Sequence, residues 1–269
     1  MKLVHNRDDA LTLDLAERAH VVDSTIRQRR ATRQFLSMPV ALEVVRDIID
    51  VARSAPSGNN IQPWRVYVVS GETQALLTQQ ILDAHFNRPA DYDFGYKYYP
   101  DEMVDPYERR RIEYGKVFFG HHGTAPADVA ARHRLTARNF TFFGAPVGLI
   151  FTIHRNLERG SWFDFGMFAQ NIMLSAKARG LDTCPQVSFA RYHEVARPLL
   201  KISDDEILVC GMSLGHADPS AGINQIVLPR DPIDQFATFF FDDPGEPMSS
   251  KAGVELAEKL SDRTGIVDR

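Results

Sequence analysis

The chain changes from helix to strand within residues 55–70, which read APSGNNIQPWRVYVVS. Before this segment, apolar residues recur at the spacing of one buried helix face, at Leu42, Val45, Ile48, Ile49 and Ala52. Proline, serine, glycine and asparagine then follow in succession, and these residues favour turns over helices. The β-branched and aromatic residues 65–70 predict a strand that ends at Gly71.

Helices and strands continue to alternate irregularly along the rest of the chain. Apolar runs predict buried strands over residues 146–154 and 206–215, and helices are predicted over 72–82 and 164–180. We expect Asp164 to cap the second of these helices at its start. Because no βαβ unit repeats, the pattern favours an α+β fold, a mixed α/β sandwich, over a doubly wound sheet.

The composition excludes several classes of protein. The 269 residues are 44% hydrophobic and 25% charged, which excludes a wholly disordered chain. Lys and Arg total 31 against 35 Asp and Glu, and the net charge of −4 argues against a protein that mainly coats nucleic acid or an anionic membrane. No apolar run approaches the ~20 residues of a membrane helix, and the first residues lack the apolar core of a secretory signal. We therefore expect a cytoplasmic protein.

The expected organisation is one domain, residues 21–241, between an N-terminal arm (1–20) and a polar C-terminal tail (242–269). Within the domain, residues 86–127 differ in composition, because tyrosines crowd together and helical periodicity is confined to 105–119. Such an irregular internal segment is typical of an insertion or lid.

The loop before the first strand is a candidate binding segment. Ser57, Asn60 and Gln62 supply hydroxyl and amide groups there, and such groups can bind a heteroaromatic ring that carries carbonyls and nitrogens. The alternative is a turn whose polar side chains cap its own backbone.

Four arginines fall within the seven positions 27–33. Guanidinium groups bind phosphate bidentately, so this cluster beside the Thr32 hydroxyl is a candidate phosphate site. The alternative is a solvated helix end, and the residues alone leave both interpretations open.

Three other patterns predict no site. Residues 211–215, GMSLG, match the serine-hydrolase pattern G-x-S-x-G, but turn-forming residues follow where a helix is required, and His216 is too close to be the distant base. His121, His122 and His133 lack metal-ligand spacing, and two cysteines cannot form a four-cysteine zinc site, so no metal is expected. The G-x-G-x-x-G pattern of a Rossmann dinucleotide site is absent.

Taken together, these segments resemble the FMN-dependent nitroreductase family of NAD(P)H nitroreductases and flavin reductases, from about residue 22 to residue 234. The family's opening R-R-S-x-R block is present at 29–33, with Ala31 in place of serine. Its A-P-S-x-x-N-x-Q-P-W block is complete at 55–64, its central helix and following loop match 164–186, and its C-terminal R-x-P-[LI] signature matches 230–233. The resemblance implies a central, mostly antiparallel sheet flanked by helices, with a lid insertion.

The resemblance also implies the residues of an FMN site. The first arginines of the opening block and the C-terminal arginine hold the phosphate, while Arg33 reaches the N1/O2 edge of the flavin. Asn60 bonds the pyrimidine edge, and a backbone N–H within 185–188 faces flavin N5, although Pro185 has no N–H to donate. The implied cofactor-binding residues are Arg29, Arg30, Ala31, Arg33, Ser57, Gly58, Asn60, Pro185, Gln186, Val187, Ser188 and Arg230.

The implied activity is a ping-pong oxidoreduction. NADH or NADPH reduces FMN and leaves, and a nitroaromatic or quinone-like acceptor then takes its place. FMN carries the hydride, so no catalytic side chain is expected. The alternatives are another reaction on the same fold (dehalogenation, enone reduction or flavin destruction) and a flavin-binding protein without enzymatic activity.

Members of the family are homodimers with FMN in clefts at the subunit interface. The resemblance therefore implies that residues 55–64 come from one subunit and the phosphate-binding residues largely from the other. Selectivity for a small aromatic substrate would lie in the insertion, where Arg109, Arg110 and Arg111 either attract an acidic ring or form a solvated helix face.

Overall fold

The computed structural model describes residues 13–240. The chain forms two compact units, Met1–Ile226 and Val227–Arg269. Most of the expected N-terminal arm, and the whole expected tail from residue 242, lie outside the described residues. The division into arm, domain and tail stays a prediction.

A four-stranded sheet forms the centre of the first unit. Its strands are β1 (Trp64–Ser70), β2 (Val147–His154), β3 (Asp182–Gln186) and β4 (Glu206–Gly215). They lie in the order β1-β2-β4-β3, and every neighbouring pair is antiparallel. Strands β2 and β4 occupy the middle and are almost entirely buried, as their unbroken apolar runs indicate. The predicted α+β fold with an antiparallel sheet is confirmed.

Helices cover both faces of the sheet. Within residues 13–240 they are α1 (Leu15–Gln28), α2 (Leu42–Ala52), α3 (Gly71–Asn87), α4 (Tyr107–His121), α5 (Val129–Ala137), α6 (Arg159–Ala178) and α7 (His193–Leu200). One apolar core forms between the sheet, α2 and α6, and a second forms on the other face with α3 and α7. This layered arrangement is the mixed sandwich expected from the alternation of elements.

The start of α6 differs from the prediction. The helix begins at Arg159, five residues before Asp164, which is buried inside the helix and does not cap it. The prediction was wrong because Asp164 has a different partner: its Oδ2 accepts the backbone N–H of Gly58 at 3.2 Å. A capping side chain and a side chain that bonds a distant loop look alike in sequence.

Two glycines on the middle strands allow aromatic rings to lie directly on the sheet. A Cβ added at Gly148 would stand 2.4 Å from the ring of Phe142, and one at Gly211 would stand 2.4 Å from the ring of Phe189. The two rings stack on each other with centroids 4.6 Å apart. Real Cβ atoms do not approach so closely, so this packing requires glycine at both positions.

The segment that follows α1 runs beside β3, one of the two edge strands of the sheet. Ala31 forms a parallel bridge with Thr183, and the Thr32 N–H donates to the Thr183 carbonyl at 3.0 Å. The arginine-rich block is therefore attached to the sheet immediately before residues 184–188.

A buried histidine connects α3 to the helices packed on it. The Nε2 of His85 lies 3.0 Å from the carbonyl of His133 and its Nδ1 lies 2.8 Å from the Tyr192 hydroxyl. A carbonyl only accepts, so Nε2 carries the proton and Nδ1 accepts from Tyr192. Burial lowers the pKa of the His85 ring below its usual 6.5, although the hydrogen bond to the His133 carbonyl opposes this shift.

This lowered pKa predicts a loss of stability in mild acid. Below pH 6.5 the unfolded chain takes up a proton that folded His85 does not, so the free energy of unfolding falls as the pH drops through that value. We expect the fall in Tm between about pH 7.5 and about pH 5.5 to be smaller in His85→Gln than in the parent. Scanning calorimetry at both pH values measures the fall in Tm. An equal fall in the two proteins would contradict the lowered pKa of His85.

Candidate functional site

A cavity of about 880 Å³ lies in the first unit. Its lining includes residues 96–99 and helix α4 from the insertion, residues 184–188 from β3 and the turn after it, and Arg33 from the arginine-rich block. Residues of α5, the start of α6 and the middle strand β4 also line it. A cavity of this size, with mainly apolar walls and a few polar groups, is typical of a cofactor or substrate site.

The backbone at Arg33 is held firmly by two distant side chains. The Arg33 N–H donates to Asn224 Oδ1 at 2.8 Å, and Asn224 Nδ2 donates to the Gln34 carbonyl at 2.8 Å. Arg138 Nη2 donates to the Arg33 carbonyl at 3.0 Å. Asn224 and Arg138 were not predicted, because each is more than one hundred residues from Arg33 in sequence and belongs to no motif.

The Arg33 guanidinium faces the cavity beneath the insertion. Its central carbon lies 5.8 Å from the ring centroid of Tyr114 and 5.5 Å from that of Phe118, both on α4. These are cation–π distances. The insertion thus contacts the one arginine of the block that lines the cavity.

The other arginines of the block do not line the cavity. Arg29 is half-buried at the C-terminal end of α1, and Arg30 is exposed next to it. The charges of Arg29 and Arg33 both act on the Cys184 thiol of β3. The Ala31 bridge places the segment between Arg30 and Arg33 along β3.

Gln186 anchors the turn that follows β3. Its Oε1 accepts from the buried Ser213 hydroxyl at 2.7 Å, and its Nε2 donates to the Asn139 carbonyl at 2.6 Å. The side chain is 2% exposed and its two polar ends are occupied. The Ser213 hydroxyl, on the buried strand β4, is occupied by this hydrogen bond, which agrees with the prediction that Ser213 is not a hydrolase nucleophile.

The outer side of β3 determines which backbone donors remain at the cavity. The Thr183 carbonyl accepts from Thr32, so the N–H and C=O groups of residue 183 point away from β4. In an antiparallel strand, the backbone groups of every second residue point to the same side. Position 185 is therefore an outward position, and it is a proline without an N–H. Val187 and Ser188, which line the cavity beyond it, supply the next N–H groups.

Both cysteines of the chain line the cavity as protonated thiols. Burial raises the pKa of Cys184 to about 11 and that of Cys210 to about 12. The charges of Arg33 and Arg29 oppose the shift at Cys184 without reversing it. Neither thiol is a nucleophile near neutral pH.

The loop of residues 57–62 is fixed to α6 and not to the cavity of the same chain. Gly58 bonds Asp164, as described, and Trp64 stacks on Phe168 of α6 with ring centroids 4.6 Å apart. None of Ser57, Gly58 and Asn60 lines the cavity.

The conformation of this loop is unusual for its residues. Asn59, Asn60 and Gln62 have φ values of 49°, 57° and 51°, in the left-handed region that favours glycine. Ser57 Oγ accepts the Gln62 N–H at 3.0 Å, so the self-capping alternative holds for Ser57. The Asn60 side chain is exposed and bonds none of the described residues. Backbone held in this region despite its cost is typical of binding sites.

Two further groups of predicted residues lie elsewhere. Arg109, Arg110 and Arg111 are exposed on α4 and do not line the cavity, so the solvated helix face is the better interpretation of this run. Arg230 belongs to the second unit, where its Nη1 donates to the carbonyls of Leu228 and Pro229 at 3.2 and 3.1 Å.

No three His, Cys, Asp or Glu side chains within 13–240 come together as a metal site. In the same range, no helix is both long and apolar enough to cross a bilayer.

Comparison with known proteins places the chain in a family. Residues 26–216 match the model of the nitroreductase family. The 4-nitrobenzoate reductase of Pseudomonas putida is 43% identical over 81% of this chain and 94% of its own length. The chloronitrobenzene nitroreductase of Comamonas testosteroni is 43% identical over 81% of this chain and 96% of its own.

A solved structure agrees with these sequence matches. The FMN-dependent nitroreductase NfnB from Mycobacterium smegmatis, in complex with NADPH, superposes with a TM-score of 0.79 at 28% identity, covering 83% of this chain and 99% of its own. The residues that line the cavity, from Arg33 to Cys210, all lie within the matched range 26–216. The chain belongs to the nitroreductase family.

Proposed function

We propose that this protein is an FMN-dependent oxidoreductase that takes hydride from NAD(P)H and reduces nitroaromatic or related acceptors by a ping-pong mechanism. The observation that carries the proposal is the cavity in which Arg33, the 184–188 turn and the aromatic insertion come together from separate parts of the chain. The relatives named above reduce nitroaromatic compounds by name, and the solved relative is FMN-dependent and was obtained with NADPH.

The donor set of the cavity fits a flavin. Aromatic walls suit a flat ring system, and Arg33 offers a cation to the ring edge that becomes negative on reduction. FMN, when bound, supplies the hydride acceptor and donor of the reaction. Val187 or Ser188 would orient the ring through a backbone N–H, and Gln186 would hold that turn in place.

The phosphate is assigned to the arginines beside β3. Arg29 and Arg30 stand at the end of α1, next to the segment that continues to Arg33, so one short stretch would bind both the phosphate and the ring. Ala31 lacks the hydroxyl that serine would offer at this position. The phosphate role of Arg230 rests on the resemblance of residues 230–233 alone.

A homodimer would complete the site. Asn60 is exposed and outside the cavity of its own chain, as a residue that serves a second subunit would be. Exposed apolar side chains support a partner. Helix α1 has no buried residue and exposes Leu15, Val22 and Ile26, and Phe163 of α6 is 71% exposed. Large exposed apolar side chains of this kind mark association surfaces. The proposed location of the dimer is the cytoplasm.

The experiment that tests the function is a visible spectrum of the purified protein under anaerobic conditions. We expect flavin absorbance as isolated or after FMN is added, bleaching by NADH or NADPH, and recovery of the absorbance when a nitroarene is added. A colourless protein that does not bind FMN would contradict the proposal. Bleaching without recovery by nitroarenes or quinones would favour another reaction on the same fold.

A further inference from the structure

The cavity carries only positive charge. Arg33, Lys97 and Arg159 line it, and none of the described residues that line it is Asp or Glu. The chain as a whole has 35 acidic against 31 basic residues, so this one-sided lining is not a general property of its surface. A cavity with one sign of charge and low-dielectric walls concentrates ligands of the opposite sign.

The three cations differ in how they are engaged. Arg33 lies within cation–π distance of the Tyr114 and Phe118 rings, and Lys97 forms an ion pair with Asp101 at 2.5 Å. The Arg159 guanidinium has no hydrogen bond or ion pair with any residue in 13–240. Because Arg33 is proposed to face the flavin ring, Arg159 is the cation whose donors remain for a second ligand.

An aromatic platform stands next to Arg159. Arg159 and Trp162 are three residues apart on α6, so their side chains lie on the same face of the helix, and both line the cavity. The Trp162 ring packs edge-on against Tyr96 of the insertion, with ring centroids 4.6 Å apart. A flat ring in contact with this pair would have its substituents within reach of Arg159.

We propose that the preferred acceptor is an anionic arene, a nitroaromatic ring bearing a carboxylate, and that Arg159 pairs with that carboxylate. This inference rests on the proposed function and adds a substrate class and a specificity-determining residue to it. Guanidinium matches carboxylate bidentately, and a neutral nitroarene offers no such partner. Arg159 is also the first residue of α6, where a cation is unfavourable beside the positive end of the helix dipole, and a bound anion would relieve this.

Arg159 could instead bind a phosphate of the nicotinamide cofactor. The experiment distinguishes binding of that phosphate from binding of a substrate carboxylate. Steady-state constants are measured for 4-nitrobenzoate, its neutral methyl ester and NADPH, using the holoenzyme. Benzoate, which cannot be reduced, is titrated against the same holoenzyme by calorimetry, so that binding is read without turnover. The variants are Arg159→Gln and Arg159→Lys, with Arg134→Gln as the matched control, because Arg134 is exposed on α5 and does not line the cavity.

We expect Arg159→Gln to lower kcat/KM for 4-nitrobenzoate and the affinity for benzoate about tenfold, the range for one charge-assisted hydrogen-bonded pair that remains partly solvated. The methyl ester and NADPH should change little, Arg159→Lys should retain part of the preference, and Arg134→Gln should match the parent. Equal losses for the acid and the ester, or unchanged benzoate binding, would overturn the inference. A rise in the KM of NADPH alone would also overturn it and assign Arg159 to the reductant.

Failure of the proposed function has a different signature. It would appear as no NADPH-driven turnover with any acceptor, in the parent as well as in the variants. In that case the benzoate titration still measures whether Arg159 binds a carboxylate.

Discussion

A protein carrying Arg30→Ala together with Arg230→Ala should purify with little flavin and should bind added FMN at least about a hundredfold more weakly than the parent. Each arginine is proposed to donate charge-assisted hydrogen bonds to the phosphate, worth about 1.5–3 kcal/mol apiece. Arg30 is exposed at the end of α1, so its removal should cost little stability. Fluorescence titration with FMN gives the dissociation constant.

Riboflavin provides the control for this prediction. It has the same ring system but no phosphate, so its affinity should be nearly equal in parent and double variant. Undiminished FMN binding in the double variant would refute the phosphate assignment. The single variant Arg230→Ala tests the residue whose role rests on resemblance alone, and unchanged FMN binding in that variant would remove Arg230 from the site.

Gly148→Ala should destabilise the fold by about 3 kcal/mol or more, in the upper range for overpacked cores. The new Cβ would stand 2.4 Å from the Phe142 ring, which is fully buried and stacked on Phe189, so neither ring has space to retreat. For a chain of this size the loss corresponds to a Tm lower by roughly 5–10 °C. Chemical denaturation with urea measures the free energy, and thermal scans provide the second reading.

Two comparisons isolate the clash. In a Phe142→Leu background the same Gly148→Ala change should cost less, because the smaller side chain removes the atom that the Cβ meets, and a double-mutant cycle gives the coupling. Gly120→Ala on exposed α4, where nothing lies within 4 Å of the added Cβ, should be neutral or stabilising by about 0.5–1 kcal/mol. A Gly148→Ala protein as stable as the Gly120→Ala protein would contradict the packing described.

The elements that could be predicted are those whose signal is local. Helix α2 follows from the spacing of its apolar residues, and β2 and β4 follow from unbroken apolar runs that match their burial in the middle of the sheet. The family assignment, drawn from motifs 29–33, 55–64, 164–186 and 230–233 in order, was confirmed by the family match over 26–216. These features need no knowledge of distant contacts.

The features that could not be predicted depend on contacts between distant residues. Strand β3 is five residues long, contains Asp182 and Pro185, and joins the sheet because β4 and Ala31 pair with it. Asp164 looked like a helix cap because its real partner, Gly58, is 106 residues away. Asn224, which fixes the backbone at Arg33, belongs to no motif, and only the folded chain brings it there.

The bridge between Ala31 and Thr183 also bears on how this protein avoids aggregation. As an edge strand, β3 would present unpaired N–H and C=O groups to which a strand of another molecule could add. Residues 31 and 32 occupy part of that side, and Pro185, with no N–H, blocks continued pairing beyond them. The segment with the arginines proposed to bind phosphate therefore also covers the free side of β3. Substitutions that detach this segment would expose an unpaired strand edge that is prone to self-association.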